Sequence, residues 1–328
     1  MFQWLCSLFV LYNGFSNRKT TTNPPSNNRE SPIENIWHWE HNGISHKIHY
    51  EKYPSKDTNK YPALILIHGF GASTFHWRDN IPTLSERYTV YAFDLLGFGA
   101  SDKPIIDYTT EIWRIQTTDF VKKVHLEMDG RPVVLIGNSI GGYISVQAAA
   151  YASGKASEEL ISAIILLNPV AVFRGKELPF SASWLSWFFQ PFIFRWMFQY
   201  FRNEVNSTLL SLYPHHPERV DAALVRSIQE PANHPNASEV FCRILRAQLL
   251  GPHPYMDDLL SQISIPLYLI VGKDDPWLLS NLYTDFLEKC PTAFGKKVDA
   301  GHCPHDENPA EINRLIYSFL TLCSVPNK

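Results

Sequence analysis

The sequence predicts an open α/β fold: a mostly parallel central sheet with helices on both faces, carrying a helical insertion ahead of its last strands. Three observations predict it. Continuous apolar runs of strand length recur along the chain, segments of helical length separate them, and one long interval rich in aromatics and prolines contains no strand. Strands that alternate with helices pair in parallel and are covered on both faces, so they read as unbroken apolar runs.

Taken in order, the folded part is expected to begin near Ile33. There "IWHWEHNGISHKIHYEKY" alternates around Asn42-Gly43, a dipeptide suited to a two-residue hairpin turn. Strands are expected at Ala63 to Phe70, Thr89 to Asp94, Val133 to Gly137, Ala163 to Leu167 and Leu267 to Gly272, with a short one near Lys297 to Asp299. Helices are expected at Thr74 to Arg87, Thr109 to Met128, Gly142 to Tyr151, Ser280 to Lys289 and Pro309 to Leu322. The core is therefore assigned to residues 33–170 and 255–324. Residues 171–254 are assigned to a helical cap over the carboxyl ends of the strands, where open α/β folds bind ligands.

Residues 1–32 stand apart. The run "MFQWLCSLFVLYNGF" is too short to cross a bilayer and has no basic stretch before it, while "SNRKTTTNPPSNNRE" is rich in Ser, Thr and Asn with no acid before Glu30. It reads either as a disordered tail or as an organelle presequence of plastid type, the alternative being a chain that stays soluble inside the cell.

Composition narrows the function classes. With 45% hydrophobic and 13% aromatic residues among 328, the chain has material for a large core, which excludes disorder of the whole. A formal net charge of -3 without basic blocks argues against a nucleic-acid partner. Cys6, Cys242, Cys290, Cys303 and Cys323 are odd in number and scattered, the pattern of reduced thiols rather than of a disulfide framework. Glycosylation sequons at Asn206 and Asn236 would matter only in a secreted chain. No feature sets an oligomeric state.

The chemistry begins at Gly137-Asn138-Ser139-Ile140-Gly141, which fits G-x-S-x-G between an apolar strand and a helical segment. A strand-to-helix turn sharp enough to push the Ser139 hydroxyl into a cleft needs tiny residues two positions away on either side, and Gly137 and Gly141 supply them. A serine hydroxyl needs a base, and the oxyanion of its tetrahedral intermediate needs donors. The backbone amides of Ile140, directly after the serine, and of Phe70, in "HGFG" with Gly69 and Gly71, are the expected donors. His68 is expected to order that loop. Neither Gly69-Phe70-Gly71 nor Gly97-Phe98-Gly99 has the third glycine of a dinucleotide site in register, so no nucleotide cofactor is expected.

In this architecture the acid follows the serine and the histidine comes last. Asp274 and Asp275 both lie just past the strand Leu267 to Gly272, and either suits the role; Asp275, directly before Pro276, is preferred, with Asp274 then a surface residue. The other common acid position is Asn168, which cannot carry the charge. The segment "AGHCPHDENP" contains His302, Cys303 and His305. His302 is the expected base, since it follows Gly301 after the last strand, while Asp306, Glu307 and Pro309 mark the start of the final helix. No CxxC or HExxH completes a zinc site, and a Cys303 nucleophile would lack its own base and oxyanion loop, so no metal is expected.

Together "HGFGAS", "DLLGFGASDKP", "GNSIGGY", "GKDDPW" and "AGHCPHDENP" resemble the α/β-hydrolase superfamily from about Trp37 to Leu320, and within it the plant, algal and cyanobacterial branch that contains pheophytinase and chlorophyll dephytylase. The resemblance implies Ser139 as nucleophile, Asp275 as acid and His302 as base. It further implies hydrolysis of the phytyl ester of a chlorophyll-type tetrapyrrole without metal or organic cofactor. Epoxide hydrolases and haloalkane dehalogenases of the same superfamily carry aspartate where this chain has Ser139.

Aromatics crowd the insertion from Trp184 to Phe201. Trp184, Trp187, Phe188 and Phe192, with His68 and Trp277, are expected to line a site for a small lipophilic ester, or part of that surface to touch a membrane peripherally; otherwise the aromatics simply pack the cap onto the core. Gln190, Pro191, Arg195 and Gln199 interrupt the run too often for a transmembrane helix. The expected activity is that of a serine esterase acting through an acyl-enzyme. The alternatives are a general carboxylesterase or acylglycerol lipase, a C–C bond hydrolase, and, in another class, a slow-turnover ligand receptor.

Overall fold

The computed structural model describes residues 33–55, 61–152, 160–174, 184–278 and 281–323, without the side chains of 34, 184–190, 249 and 250. The expected tail or presequence, residues 1–32, lies outside these.

Eight strands form one sheet in the order β1-β2-β4-β3-β5-β6-β7-β8. They are β1 (Ile33–His41), β2 (Ile44–Tyr53), β3 (Ala63–Ile67), β4 (Val90–Phe93), β5 (Val133–Asn138), β6 (Ile161–Leu167), β7 (Leu267–Gly272) and β8 (Phe294–Val298). The β1–β2 and β2–β4 pairs are antiparallel, and the other pairs are parallel. Their turn has both Asn42 and Gly43 at positive φ, 51° and 75°, the mirror-image turn that the sheet's twist favours.

The apolar runs divide by alternation. Ile65, Ile67 and Leu135 face one core cluster, while Leu64, Leu66, Val134 and Ile136 face the other. A strand buried on both faces is thus shared by two cores.

Helices cover both faces: α1 (Ile81–Ser85), α2 (Thr110–Glu127), α3 (Ile140–Ala152), α4 (Trp184–Asn203), α5 (Val205–Leu212), α6 (Ala222–Gln229), α7 (Ala237–Leu250), α8 (Met256–Leu260), α9 (Leu282–Lys289), α10 (Pro304–Glu307) and α11 (Pro309–Cys323). On α2, Trp113, Gln116, Thr117, Phe120, Val121 and Val124 are buried, the three-and-four spacing of a single face.

Two expectations need correction. The single helix expected over Thr74 to Arg87 is a 3-10 turn at Thr74–Trp77 followed by α1. Pro82 cannot donate in a helix interior and instead occupies the first turn of a new helix, where its missing N–H is not needed. The strand expected at Lys297 to Asp299 begins earlier, at Phe294. β8 is an edge strand whose Lys296 and Lys297 are exposed, so it has no apolar run to announce it; lysines at an edge also deter pairing with another chain.

The parallel registers align the carboxyl ends. Ile67 and Leu166 flank Gly137, Leu167 pairs Ile270, and Gly272 pairs Val298. The loops after β3, β5, β6, β7 and β8 therefore converge on one rim, and those after β3, β5, β7 and β8 carry Phe70, Ser139, Asp275 and His302.

Candidate active site

Ser139 sits between β5 and α3 with φ at +55°, a left-handed conformation that a non-glycine residue adopts only where the surroundings enforce it. The enforcement is steric. A Cβ on Gly137 would run into the carbonyl of Gly141, and one on Gly141 into that of Ile67. The two glycines let α3 start directly behind the strand, and the serine takes the strained backbone at the apex.

His302, in the loop after β8, approaches that apex. Its Nε2 lies 3.0 Å from Ser139 Oγ and its Nδ1 2.7 Å from Asp275 Oδ2. A carboxylate can only accept, so the ring proton sits on Nδ1 and Nε2 is left to accept from the serine hydroxyl. Asp275 is fixed in turn by the backbone N–H of Trp277, which donates to Oδ1 at 2.7 Å, and the Trp277 ring packs on the imidazole at 4.7 Å between centroids. Asp274 turns the other way: its side chain is 57% exposed and meets His215 Nε2 at 2.7 Å. Asp275 alone of the pair faces His302.

The loop after β3 closes the site. A Cβ added to Gly69 would lie 3.3 Å from that of Ser139, so Gly69 to Gly71 rest against the elbow, and Gly71 holds φ at +74°. Ile140 opens α3, where first-turn amides have no helical acceptor. Phe70 and Ile140 therefore flank the serine from two sides.

A cavity of about 190 Å³ opens over Ser139 and His302, lined almost wholly by apolar surface that includes Phe70, Phe198, Phe201, Leu209, Val240 and Trp277. Several of these come from α4, α5 and α7, between β6 and β7. Among the described residues no group of His, Cys, Asp and Glu is arranged to hold a metal ion.

The sequence that builds this strand order and this rim matches the model of the Alpha/beta hydrolase family over residues 64–315. The chain belongs to the alpha/beta hydrolase family.

Among its relatives, the chloroplastic pheophytinase of Arabidopsis thaliana is 26% identical over an alignment of 322 positions that covers 84% of this chain. The chain spans 64% of that relative's length. The 2-hydroxy-6-oxo-6-(2'-aminophenyl)hexa-2,4-dienoic acid hydrolase of Metapseudomonas resinovorans is 26% identical, covering 81% of this chain and 86% of the relative. Of solved structures, a serine hydrolase involved in carbazole degradation superposes with a TM-score of 0.70 at 22% identity, over 89% of this chain and all of the other, a likeness of fold. A bacterial membrane phospholipase A gives 0.69 at 26% identity, over 89% and 86%.

Some residues expected to line the site do not. Phe192 is 75% exposed, because α4 turns Phe194, Phe198 and Phe201 inward and leaves Phe192 on the opposite side. His68 is fully buried behind the cavity. Its Nε2 accepts from Leu95 N at 3.0 Å, so its proton is on Nδ1, which donates to the Gly69 carbonyl at 2.7 Å. Burial lowers its pKa, and the ring orders the loop as a neutral tautomer. Trp277 does line the cavity. Trp184, Trp187 and Phe188 lie on α4, but their side chains fall outside the described residues.

The neighbours of His302 have other occupations. Cys303 is buried, and burial together with Asp306 and Asp275 raises its thiol pKa well above the usual range, the reverse of what a thiolate nucleophile needs. His305 is wedged between His76 and Trp77, at 4.7 and 4.3 Å between ring centroids, and burial pushes its pKa well down. Asp306 and Glu307, expected only as helix-start residues, turn buried carboxylates inward: Asp306 accepts from Arg78 Nε at 2.7 Å and Tyr213 Oη at 2.9 Å. Sequence reasoning missed this role. The one available signal was the density of acids after "GHCPH", which also suits an ordinary helix N-terminus.

Proposed function

We propose that the protein is a serine hydrolase of lipophilic carboxylic esters, working through an acyl-enzyme on Ser139, with the phytyl ester of pheophytin or chlorophyll as its substrate. The observation that carries the proposal is the chain of contacts from Ser139 Oγ through the His302 imidazole to Asp275, at 3.0 and 2.7 Å, beneath an apolar cavity.

In the proposed reaction His302 Nε2 takes the hydroxyl proton as Ser139 Oγ attacks the ester carbonyl. The oxyanion forms beside the amides of Phe70 and Ile140, which are fixed before the reaction and need no reorganisation as the charge appears. The imidazolium, its charge stabilised by Asp275, gives its proton to the departing alcohol. Water enters, loses a proton to the same Nε2 and attacks the acyl carbon; Ser139 Oγ leaves as the proton returns to it. All groups come from the chain, so the sequence of steps calls for no metal or cofactor.

The phytyl ester is favoured by the relative from Arabidopsis thaliana, named as a chloroplastic pheophytinase, and by an apolar cavity beside Ser139 that part of a hydrocarbon chain would enter. Plastid residence belongs to the same proposal and rests on the same relative. Helices from the 171–254 interval act as the lid over this cavity. The outer face of α4, with Phe192, Ile193 and Trp196 exposed, would rest on a lipid surface where such esters reside; among the described residues no helix is long and apolar enough to cross a membrane. A second reading, hydrolysis of a C–C bond in a diketone, is favoured by the likeness to the Metapseudomonas resinovorans hydrolase.

The experiment is direct. Purified protein is incubated with pheophytin, chlorophyll, simple acyl esters and a dienoic diketone, following release of phytol, fatty acid or the cleaved acid. Release of phytol, lost in Ser139→Ala, supports the proposal. Cleavage of short acyl esters alone sinks the tetrapyrrole assignment, and cleavage of the diketone alone moves it to the second reading.

A further inference from the structure

The loop that carries His302 is held at every backbone polar group of residues 301 and 302. Gly301 N–H donates to Glu307 Oε2 at 2.5 Å, and its carbonyl accepts from Asn168 Nδ2 at 2.7 Å. His302 N–H donates to the carbonyl of Leu212 at 3.1 Å, and its carbonyl accepts from Asn138 Nδ2 at 3.1 Å. Asn138 and Asn168 belong to the ends of β5 and β6, so one half of this grip is the sheet.

The other half is the insertion. Leu212 is the last residue of α5. The second oxygen of Glu307 accepts the N–H groups of His215 and His216, at 2.8 and 3.1 Å. One buried carboxylate thus holds the loop before the histidine with Oε2 and the chain after α5 with Oε1. Hydrogen bonds to an ionised acceptor are roughly twice as strong as neutral ones. The fit is close as well: a Cβ on Gly301 would run into the Leu212 carbonyl. Asp306 repeats the link one residue earlier, its backbone carbonyl accepting from Arg219 Nε at 2.8 Å and its carboxylate from Tyr213 Oη.

We propose that Glu307 is a positioning residue that locks the His302 loop to residues 212–216, so that this stretch of the insertion is a fixed support of the general base and does not swing with a lid. Its catalytic consequence rests on the hydrolase reading above; the clamp itself does not. The physical requirement is precision: a displacement of about 1 Å at a reacting group costs about 10²-fold in rate. Asp275 and the Trp277 ring orient the imidazole, and the four backbone bonds fix the main chain that carries it in a loop that has left its strand.

Glu307→Gln tests it. The carboxamide keeps the shape but puts an NH2 where one acceptor stood, so either Gly301 or the His215–His216 pair loses its partner. The expected result is a kcat about 10²-fold lower with KM for the same ester within about twofold, since no cavity-lining residue changes. Amide hydrogen exchange at residues 301–302 and 212–216 should accelerate at least about tenfold, while residues 137–141 stay as in the wild type. Glu307→Asp, which shortens the reach but keeps the charge, should give the same kcat-selective loss and serves if the glutamine variant does not fold. Unchanged exchange at Gly301 and His302 overturns the clamp whatever the activity. Exchange that responds in a protein whose wild type cleaves no ester upholds the clamp and sinks the hydrolase reading. A wild-type kcat in both variants, or a rise in KM alone, overturns the positioning role and leaves the hydrolase reading intact.

Discussion

Asn168 Nδ2 donates to the carbonyl of Gly301 at 2.7 Å, and its Oδ1 accepts from the N–H of Gly272 at 2.8 Å. The residue at the end of β6 is thus a brace joining β7 to the histidine loop. That position is a common place for the catalytic acid in this fold, and here both ends of its amide hold backbone. In the next loop Asp275 rather than Asp274 turns toward His302.

Exchanging each carboxylate for its amide separates the two aspartates. Asp275→Asn should lower kcat by about 10⁴-fold, because the imidazole loses the partner that fixes its tautomer and stabilises its charge. Asp274→Asn should stay within about twofold, since it breaks only an exposed contact with His215. Turnover of the two purified variants on one ester decides it; equal losses would overturn the assignment.

Ser139→Ala should abolish labelling by a fluorophosphonate probe, and His302→Ala should slow it to near background. Gly141→Ala should damage folding itself. Its Cβ presses on the carbonyls of Ile67 and His68, which belong to a central strand and its loop, so a loss of about 3 kcal/mol is expected in denaturant unfolding. A fully stable Gly141→Ala protein would mean that the elbow is looser than described.

Chain-length selectivity should follow the cavity. Leu209 is buried on α5 and lines it, so Leu209→Trp fills space in which a long hydrocarbon arm would lie. KM for long-chain or phytyl esters should rise about tenfold or more, with short acyl esters little changed. A uniform loss across chain lengths would place the long arm elsewhere.

Contact with lipid can be read by co-sedimentation. Phe192 and Trp196 are 75% and 56% exposed on α4, one turn apart. Replacing both with serine should reduce binding to phosphatidylcholine or plastid-galactolipid vesicles at least about tenfold and leave hydrolysis of a water-soluble ester near wild type. Vesicle binding that survives the double replacement would remove α4 from any membrane contact.

Stability should fall with acid. Burial, opposed only partly by Asp306, lowers the pKa of His76 from 6.5 to about 4; Arg78, His68 and His302 add to the fall, and Tyr213 Oη occupies its Nε2 at 2.8 Å. Between those values the unfolded chain binds a proton that the folded chain refuses. Stability is therefore complete above pH 6.5 and declines toward pH 4, by about 3 kcal/mol for this residue. His305, shifted the same way by burial and by His76 and His302, adds to the slope. Urea unfolding of His76→Gln across that range should show a slope smaller by up to one proton, and an identical slope would contradict it.

Much of the fold is legible because its signals are local. The run Ala63 to Ile67 is apolar at every position because both faces are covered, and Asn42-Gly43 turns a hairpin because its backbone tolerates positive φ. Gly137 announces the elbow through contacts within five residues, against Gly141 and Gly142, whereas the demand on Gly141 comes from Ile67 and His68 on the neighbouring strand and its loop. The order of serine, acid and histidine follows from which strands end at the rim.

What the sequence by itself determined, then, is the succession of elements and which loops bring chemistry to one edge. The sequence already preferred Asp275 to Asp274 and His302 to His305; the tertiary structure decided that Phe198 rather than Phe192 lines the cavity. It also decided that Asp306 and Glu307 are internal braces, through partners such as Arg78 that lie 228 positions away along the chain. Such pairings leave no periodic trace, because the groups meet only after the sheet has aligned its loops and the insertion has been laid across them. A charged residue bound for a buried partner looks the same in sequence as one bound for water.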